Sequence, residues 1–150
     1  MALRDQPYLP LYVQDFLTDE KLIECSAEST GVYIRLLCVL HKSEEYGKIL
    51  LKQKDKQTDK QMENFALKLL KQMPYQIDVI KRSLEELISE GVLQIEDDVL
   101  YQKRMVRDNI ISLKRAESGK KGGEKTQFAL NFAKAKRQAN TEDETEDENS

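Results

Sequence analysis

The chain has 150 residues, 39% of them apolar and 34% charged, with a net charge of −3. That length points to one modest domain. No apolar stretch approaches the roughly 20 residues a membrane span needs, and no basic-then-apolar leader precedes Tyr12, so the reading is a cytoplasmic protein without a membrane partner. Two cysteines, Cys25 and Cys38, are too few for a disulfide framework and read as reduced core thiols.

Charge is segregated along the chain. Residues 1–102 hold 13 Lys and Arg against 18 Asp and Glu, residues 103–140 hold 11 against 3, and the last ten, TEDETEDENS, hold six acids and no base. The middle block is the electrostatic candidate for nucleic acid, and the acidic body is not.

In chain order, Pro7 and Pro10 keep the first dozen residues extended, and a short helix is expected from Thr18, whose hydroxyl would cap it. A longer helix follows Ser26, with Val32, Leu36, Leu37 and Leu40 at helical spacing and Gly47 as its stop. Gly31 within it implies close approach to another backbone. Ile49 to Leu51 reads as a strand, and KQKDKQTDKQ as a loop leading to a helix capped near Thr58 or Asp59.

Met62, Phe65, Ala66, Leu69 and Met73 line one helical face up to Pro74. After the turn MPYQ, the set Ile77, Ile80, Leu84, Leu87 and Ile88 defines a second helix, which Gly91 ends. VLQI and VLYQ, separated by Glu96, Asp97 and Asp98, form a hairpin. Helix, turn, helix and hairpin, with the earlier strand completing a small antiparallel sheet, is the order of a winged helix-turn-helix between about Met62 and Gln102. The fold class is α+β, mainly α. A last helix is expected from Arg104 to about Ser118, with Val106, Ile110 and Leu113 on one side. The domain division is therefore 1–118, a winged-helix domain, and 119–150, a flexible, disordered tail that is basic and then acidic.

These segments carry a resemblance. PYLPLYVQDFLTDEKL, then TGVYIRLLCVLHKSEEYGKI, and later KRAESGKKGG resemble the N-terminal region of phage and prophage replisome organisers, the DnaD-like replication-initiation proteins, over about residues 6 to 125. The resemblance implies a winged-helix domain that helps assemble a replication origin complex, commonly as a homo-oligomer, and passes it to partners such as a helicase loader.

A functional helix-turn-helix sets its second helix in the major groove. On that helix Gln76 is a candidate for adenine edges, and Lys81 and Arg82 for phosphate or guanine. Glu85, Glu86 and the acidic hairpin tip oppose phosphate, so the alternative is a winged helix that serves protein contacts or a regulatory role without reading DNA. The basic block supplies the stronger candidates, Lys103, Arg104, Arg107, Lys114, Arg115, Lys120 and Lys121, followed by Lys125, Lys134, Lys136 and Arg137. Phe128 and Phe132 are one turn apart, suited to stacking on single-stranded DNA or to anchoring in a partner's groove. A solvated tail is the plainer reading of the same block.

Three chemical lookalikes fall short. GKKGGEKT, residues 119–126, has Glu124 where a phosphate-binding loop needs glycine, and no strand precedes it. Cys25, Cys38 and His41 are three ligands where structural zinc takes four. His41, the only histidine, has no nucleophile at catalytic spacing. The expectation is a non-enzyme with no cofactor and no metal.

Overall fold

The computed structural model describes residues 2–136, with side chains on the last helix described as far as position 120. The described residues form six α-helices and a three-stranded antiparallel sheet: α1 (Val13–Thr18), α2 (Glu20–Ile23), α3 (Ala27–His41), β1 (Lys48–Leu50), α4 (Gln61–Leu70), α5 (Ile77–Ser89), β2 (Gln94–Glu96), β3 (Val99–Tyr101) and α6 (Lys103–Lys136). The class is α+β, mainly α. Among the described residues, no helix is long and apolar enough to cross a membrane.

The helix starts follow local chemistry, with two departures from expectation. Ser26 caps α3, its hydroxyl accepting from the Ser29 amide at 3.1 Å. Thr18 caps nothing. Its hydroxyl donates back to the Gln14 carbonyl at 2.8 Å and so belongs to the end of α1, while the carboxylate of Asp19 accepts from the Lys21 amide and opens α2. An ionised oxygen suits a helix N-terminus better than a hydroxyl. At α4 neither Thr58 nor Asp59 is the cap. Lys60 occupies that position, and Thr58 is instead tied to buried Asn64 by a reciprocal pair, Thr58 amide to Asn64 Oδ1 at 3.0 Å and Asn64 Nδ2 to the Thr58 carbonyl at 2.9 Å.

α3 ends at His41, six residues before Gly47, because a turn intervenes. Gly47 still closes the helix: at φ +81° its amide donates to the Leu40 carbonyl at 3.0 Å. A glycine accepts that left-handed conformation without steric cost. Gly31, by contrast, meets no backbone, and a Cβ there would touch only the Tyr75 hydroxyl at 3.9 Å. Its expected close packing is absent. Cys38 is exposed rather than in the core, because it falls on the side of α3 away from Val32, Leu36, Leu37 and Leu40, and Cys25 is half-buried.

The core lies where α5 packs against both α3 and α4. Leu36, Leu40, Phe65, Leu69, Ile80, Leu84 and Leu87 are fully buried there, each worth about 1.5–3 kcal/mol of transfer free energy. Gly91, at φ +83°, ends α5 as expected. The strand order is β1-β3-β2, with Ile49 opposite Leu100 and Ile95 opposite the same residue on the other side. Asp97, at φ 55°, makes the tight β2–β3 turn, a conformation aspartate tolerates better than most residues.

α6 starts directly after β3. The Gln102 side chain accepts from the Met105 amide at 2.8 Å and donates to the Tyr33 hydroxyl at 3.2 Å, so one residue both caps α6 and ties it to α3. Met105 is buried, Val106 half-buried, and Ile110, Ile111 and Leu113 are exposed. The apolar side expected to pack is therefore anchored only at its first turn. The helix does not stop near Ser118. It continues to Lys136, 34 residues or about 50 Å, passing through Gly119, Gly122 and Gly123.

Candidate nucleic-acid interface

Two polar side chains of α5, Arg82 and Glu86, are engaged with residues at the start of α3. Arg82 makes a bidentate pair with Glu28, Nε to Oε1 at 3.0 Å and Nη2 to Oε2 at 2.9 Å. Its donors, expected to hold phosphate or guanine, already have a carboxylate of matching geometry. One turn on, Glu86 accepts from the Ser29 hydroxyl and from the amide and hydroxyl of Ser26, the latter two at 3.0 and 2.9 Å. These hydrogen bonds, Ser29 foremost, hold the Glu86 carboxyl below its usual pKa of 4.5. A carboxylate at the first turn of α3 also meets the positive end of that helix. Gln76 is exposed at the start of α5 with its side chain free of any cap bond, and Lys81 is half-buried. Asp78 and Glu85 are exposed on the same side, so the charge α5 shows to solvent is not basic.

The hairpin tip is tied down as well. Lys56 Nζ lies 2.6 Å from Asp98 Oδ2, which lowers the Asp98 pKa, and the side-chain Nε2 of Gln61 donates to the Asp97 carbonyl and, at 3.3 Å, to Asp98 Oδ1. Glu96 and Asp97 remain exposed. A tip with this charge does not suit a phosphate-lined groove.

α6 differs. Lys103, Lys114, Arg115 and Lys120 are exposed, and none has an ion-pair partner among the described residues. Arg107 is 63% exposed and only loosely approaches its neighbour Asp108, at 3.9 Å. Lys103, Arg107 and Lys114 share one face of the helix, on which positions 121 and 125 also fall. The side chains of Lys121, Lys125, Phe128, Phe132, Lys134 and Lys136, and all of Arg137, lie outside what is described.

Arg104 is the exception on this helix. It pairs with Asp15 at 2.6 Å and stacks over the Tyr12 ring, 4.2 Å from its centroid, while Tyr12 donates to Asp108 at 2.7 Å. Its role is to fasten the N-terminal segment to α6, a role shared by the Leu3 amide, which donates to Ser112 at 3.0 Å. The sequence carries no local signal for these bonds, because the partners come from opposite ends of the domain.

Between that segment and the root of α6 lies a cleft of about 520 Å³, with Leu9, Phe16, Leu22, Val92 and Met105 in its lining and Arg104 and Asp108 also bordering it. His41 is not part of it. The imidazole Nε2 donates to the Gln6 carbonyl at 2.9 Å, which assigns the proton, and Nδ1 accepts from the Tyr46 hydroxyl at 2.7 Å. Burial pushes the Tyr46 pKa up to about 12, so that hydroxyl keeps its proton. Among the described residues no group of three His, Cys, Asp or Glu is placed to hold a metal ion. No protein-family model, curated protein or solved structure matches the chain.

Proposed function

We propose that this is a DNA-binding winged-helix protein of the phage and prophage replisome-organiser type, which assembles at a replication origin in the cytoplasm and holds DNA through α6 rather than through α5. The element order supports the winged-helix reading: α4, turn, α5 and the β2–β3 hairpin, with β1 completing the sheet. The resemblance of residues 6 to 125 supports the replication role, self-association and hand-over to proteins such as a helicase loader. In this reading the protein is an assembly factor, not an enzyme, and needs no cofactor.

One observation carries the DNA assignment to α6. Lys103, Lys114, Arg115 and Lys120 stand exposed and unpaired among the described residues, whereas the Arg82 guanidinium of α5 is paired with Glu28 through Nε and Nη2. Phosphate contacts of this kind give affinity without sequence preference.

Fluorescence anisotropy with labelled duplex and single-stranded DNA at low salt tests the reading. Replacing Lys103, Arg107, Lys114, Arg115 and Lys120 with Gln is expected to abolish measurable binding, while Arg82→Gln leaves affinity within about twofold. Binding that depends on Arg82 and ignores the α6 residues would return the interface to α5. A second reading has its own observation: Tyr8, Val13, Leu17 and Ile23 are exposed, each by 60% or more, on the N-terminal segment, α1 and α2. Such residues suit a protein partner. If the intact chain binds neither DNA form at low salt, this module that contacts proteins without reading DNA becomes the better account.

A further inference from the structure

The cleft between the N-terminal segment and the root of α6 combines an apolar bed, an open aromatic ring and a rim of bases. Its volume of about 520 Å³ suits a small molecule or one unit of a polymer. Leu9, Phe16, Leu22, Val92 and Met105 form the bed. Tyr12 borders it, 47% exposed, with the Arg104 guanidinium 4.2 Å from its ring centroid. A guanidinium covers at most one face of a ring, and this exposure leaves room on Tyr12 for a second planar group.

Lys21, Lys103, Arg104 and Arg107 border the cleft, and so do Asp15, Asp19 and Asp108. Each acid already accepts a hydrogen bond from the protein. Asp15 pairs with Arg104 at 2.6 Å, Asp19 accepts from the Lys21 amide at 3.0 Å, and Asp108 accepts from the Tyr12 hydroxyl at 2.7 Å. Lys21 and Lys103 are exposed and have no ion-pair partner among the described residues, and Arg107 only approaches Asp108, at 3.9 Å. The Lys21 ammonium lies 3.6 Å from where a Cβ on Gly91 would be, which places its charge at the cleft wall. The charged donors left over are these three bases, so the cleft calls for an anion joined to a flat apolar body.

Lys103 and Arg107 also begin the basic face of α6 that continues to Lys114, with about 6 Å of rise between the first two and about 10 Å to the third. A strand whose phosphates follow that face arrives at the mouth of the cleft, where Lys21 extends the line of charge to α2. We infer that the cleft takes an unpaired base of single-stranded DNA, stacked on Tyr12, with its flanking phosphates on Lys21, Lys103 and Arg107. A charged track beside an aromatic platform is the arrangement that holds single strands. The basic face leading away from the rim favours such a strand over an acidic protein segment. A base in a duplex must first leave its partner to enter, so the cleft selects DNA that is already open. The inference rests on the DNA-binding reading proposed above, and it adds Tyr12 and Lys21, which lie outside α6.

The test measures anisotropy of labelled oligothymidylate and of a labelled duplex of equal length, with the full chain at low salt. Lys21→Gln and Tyr12→Leu are each expected to weaken the single strand about tenfold and to leave the duplex within about twofold. Lys21 is exposed, so its variant leaves the core untouched. Tyr12→Phe keeps the ring and loses the bond to Asp108, and is expected to hold single-strand affinity within about twofold. A Tyr12 that only fastens the N-terminal segment would make the Phe and Leu variants equally damaging, and that result would overturn the stacking.

Equal losses on both forms of DNA, or none on the single strand, would overturn the inference. So would polyglutamate of matched length that displaces the oligonucleotide as well as unlabelled oligothymidylate does, because the rim would then read charge alone, as an acidic protein segment offers it. If the chain binds duplex but no single strand, the cleft assignment falls while the α6 reading stands. If it binds neither, both fall.

Discussion

α5 and α6 are both helices with bases at positions suited to DNA, yet their surroundings give those bases opposite fates. α5 is pressed between α3 and α4, and the neighbour that buries Leu84 also brings Glu28 to Arg82 and the first turn of α3 to Glu86. α6 is held at its root by Gln102, Met105 and Arg104, and beyond Leu113 no element packs on it closely enough to supply a carboxylate among the described residues. The difference teaches that a basic residue on a packed helix is often answered by its own protein. A helix that leaves the body keeps its charge for something else.

The largest stability contrast between the two helices comes from their leucines. Leu84→Ala in α5 removes a fully buried side chain and is expected to cost about 2–5 kcal/mol, whereas Leu113→Ala, 48% exposed on α6, should stay within about 0.5 kcal/mol. Urea unfolding of the two variants checks this, and equal losses would mean that α6 is packed in solution. The glycines sharpen the comparison next. Gly47→Ala puts a Cβ 3.1 Å from the Val106 amide at φ +81°, with an expected loss of about 1–3 kcal/mol. Gly119→Ala, with nothing within 4 Å, should instead stabilise α6 by up to about 1 kcal/mol, read as increased helicity by circular dichroism.

The smallest effect concerns pH. Because the folded pKa of Glu86 lies below its usual 4.5, its contribution is fully present above that value and is lost as pH falls through the folded pKa. The melting temperature of Glu86→Gln should therefore lie below that of the parent at pH 7, and the gap should close under acid. A gap that widens below pH 4.5 would mean the bonds from Ser26 and Ser29 do not favour the ionised form.

How much of this could be read from the residues follows from the range of the forces involved. Periodicity located α3, α4 and α5, and Gly91 marked the end of α5, because these are local properties of the backbone and one helical face. The three strands were legible for the same reason, as short apolar segments bounded by turns, whereas the order β1-β3-β2 joins segments distant in the chain and comes from the fold. Cys38 was misplaced because an apolar neighbourhood in sequence does not say which face a residue takes. The expected end of the last helix near Ser118 does not hold, since α6 continues through the glycines at 119, 122 and 123. Arg82 and Arg104 looked available because Glu28 and Asp15 are distant in the chain, and only the fold brings each pair together. The candidate interface was thus legible as a charged block, but not which of its members the protein had already engaged.

The central claim, that DNA is held by exposed bases on α6, is tested most directly by the salt dependence of duplex binding by the full chain. If about five of these charges neutralise phosphates, log affinity falls against log salt with a slope of about −4 to −5, and exchanging Lys114 and Lys120 for Gln brings the slope nearer to zero by about 2. A slope near zero, or one that those substitutions leave unchanged while Arg82→Gln alters it, would contradict the account.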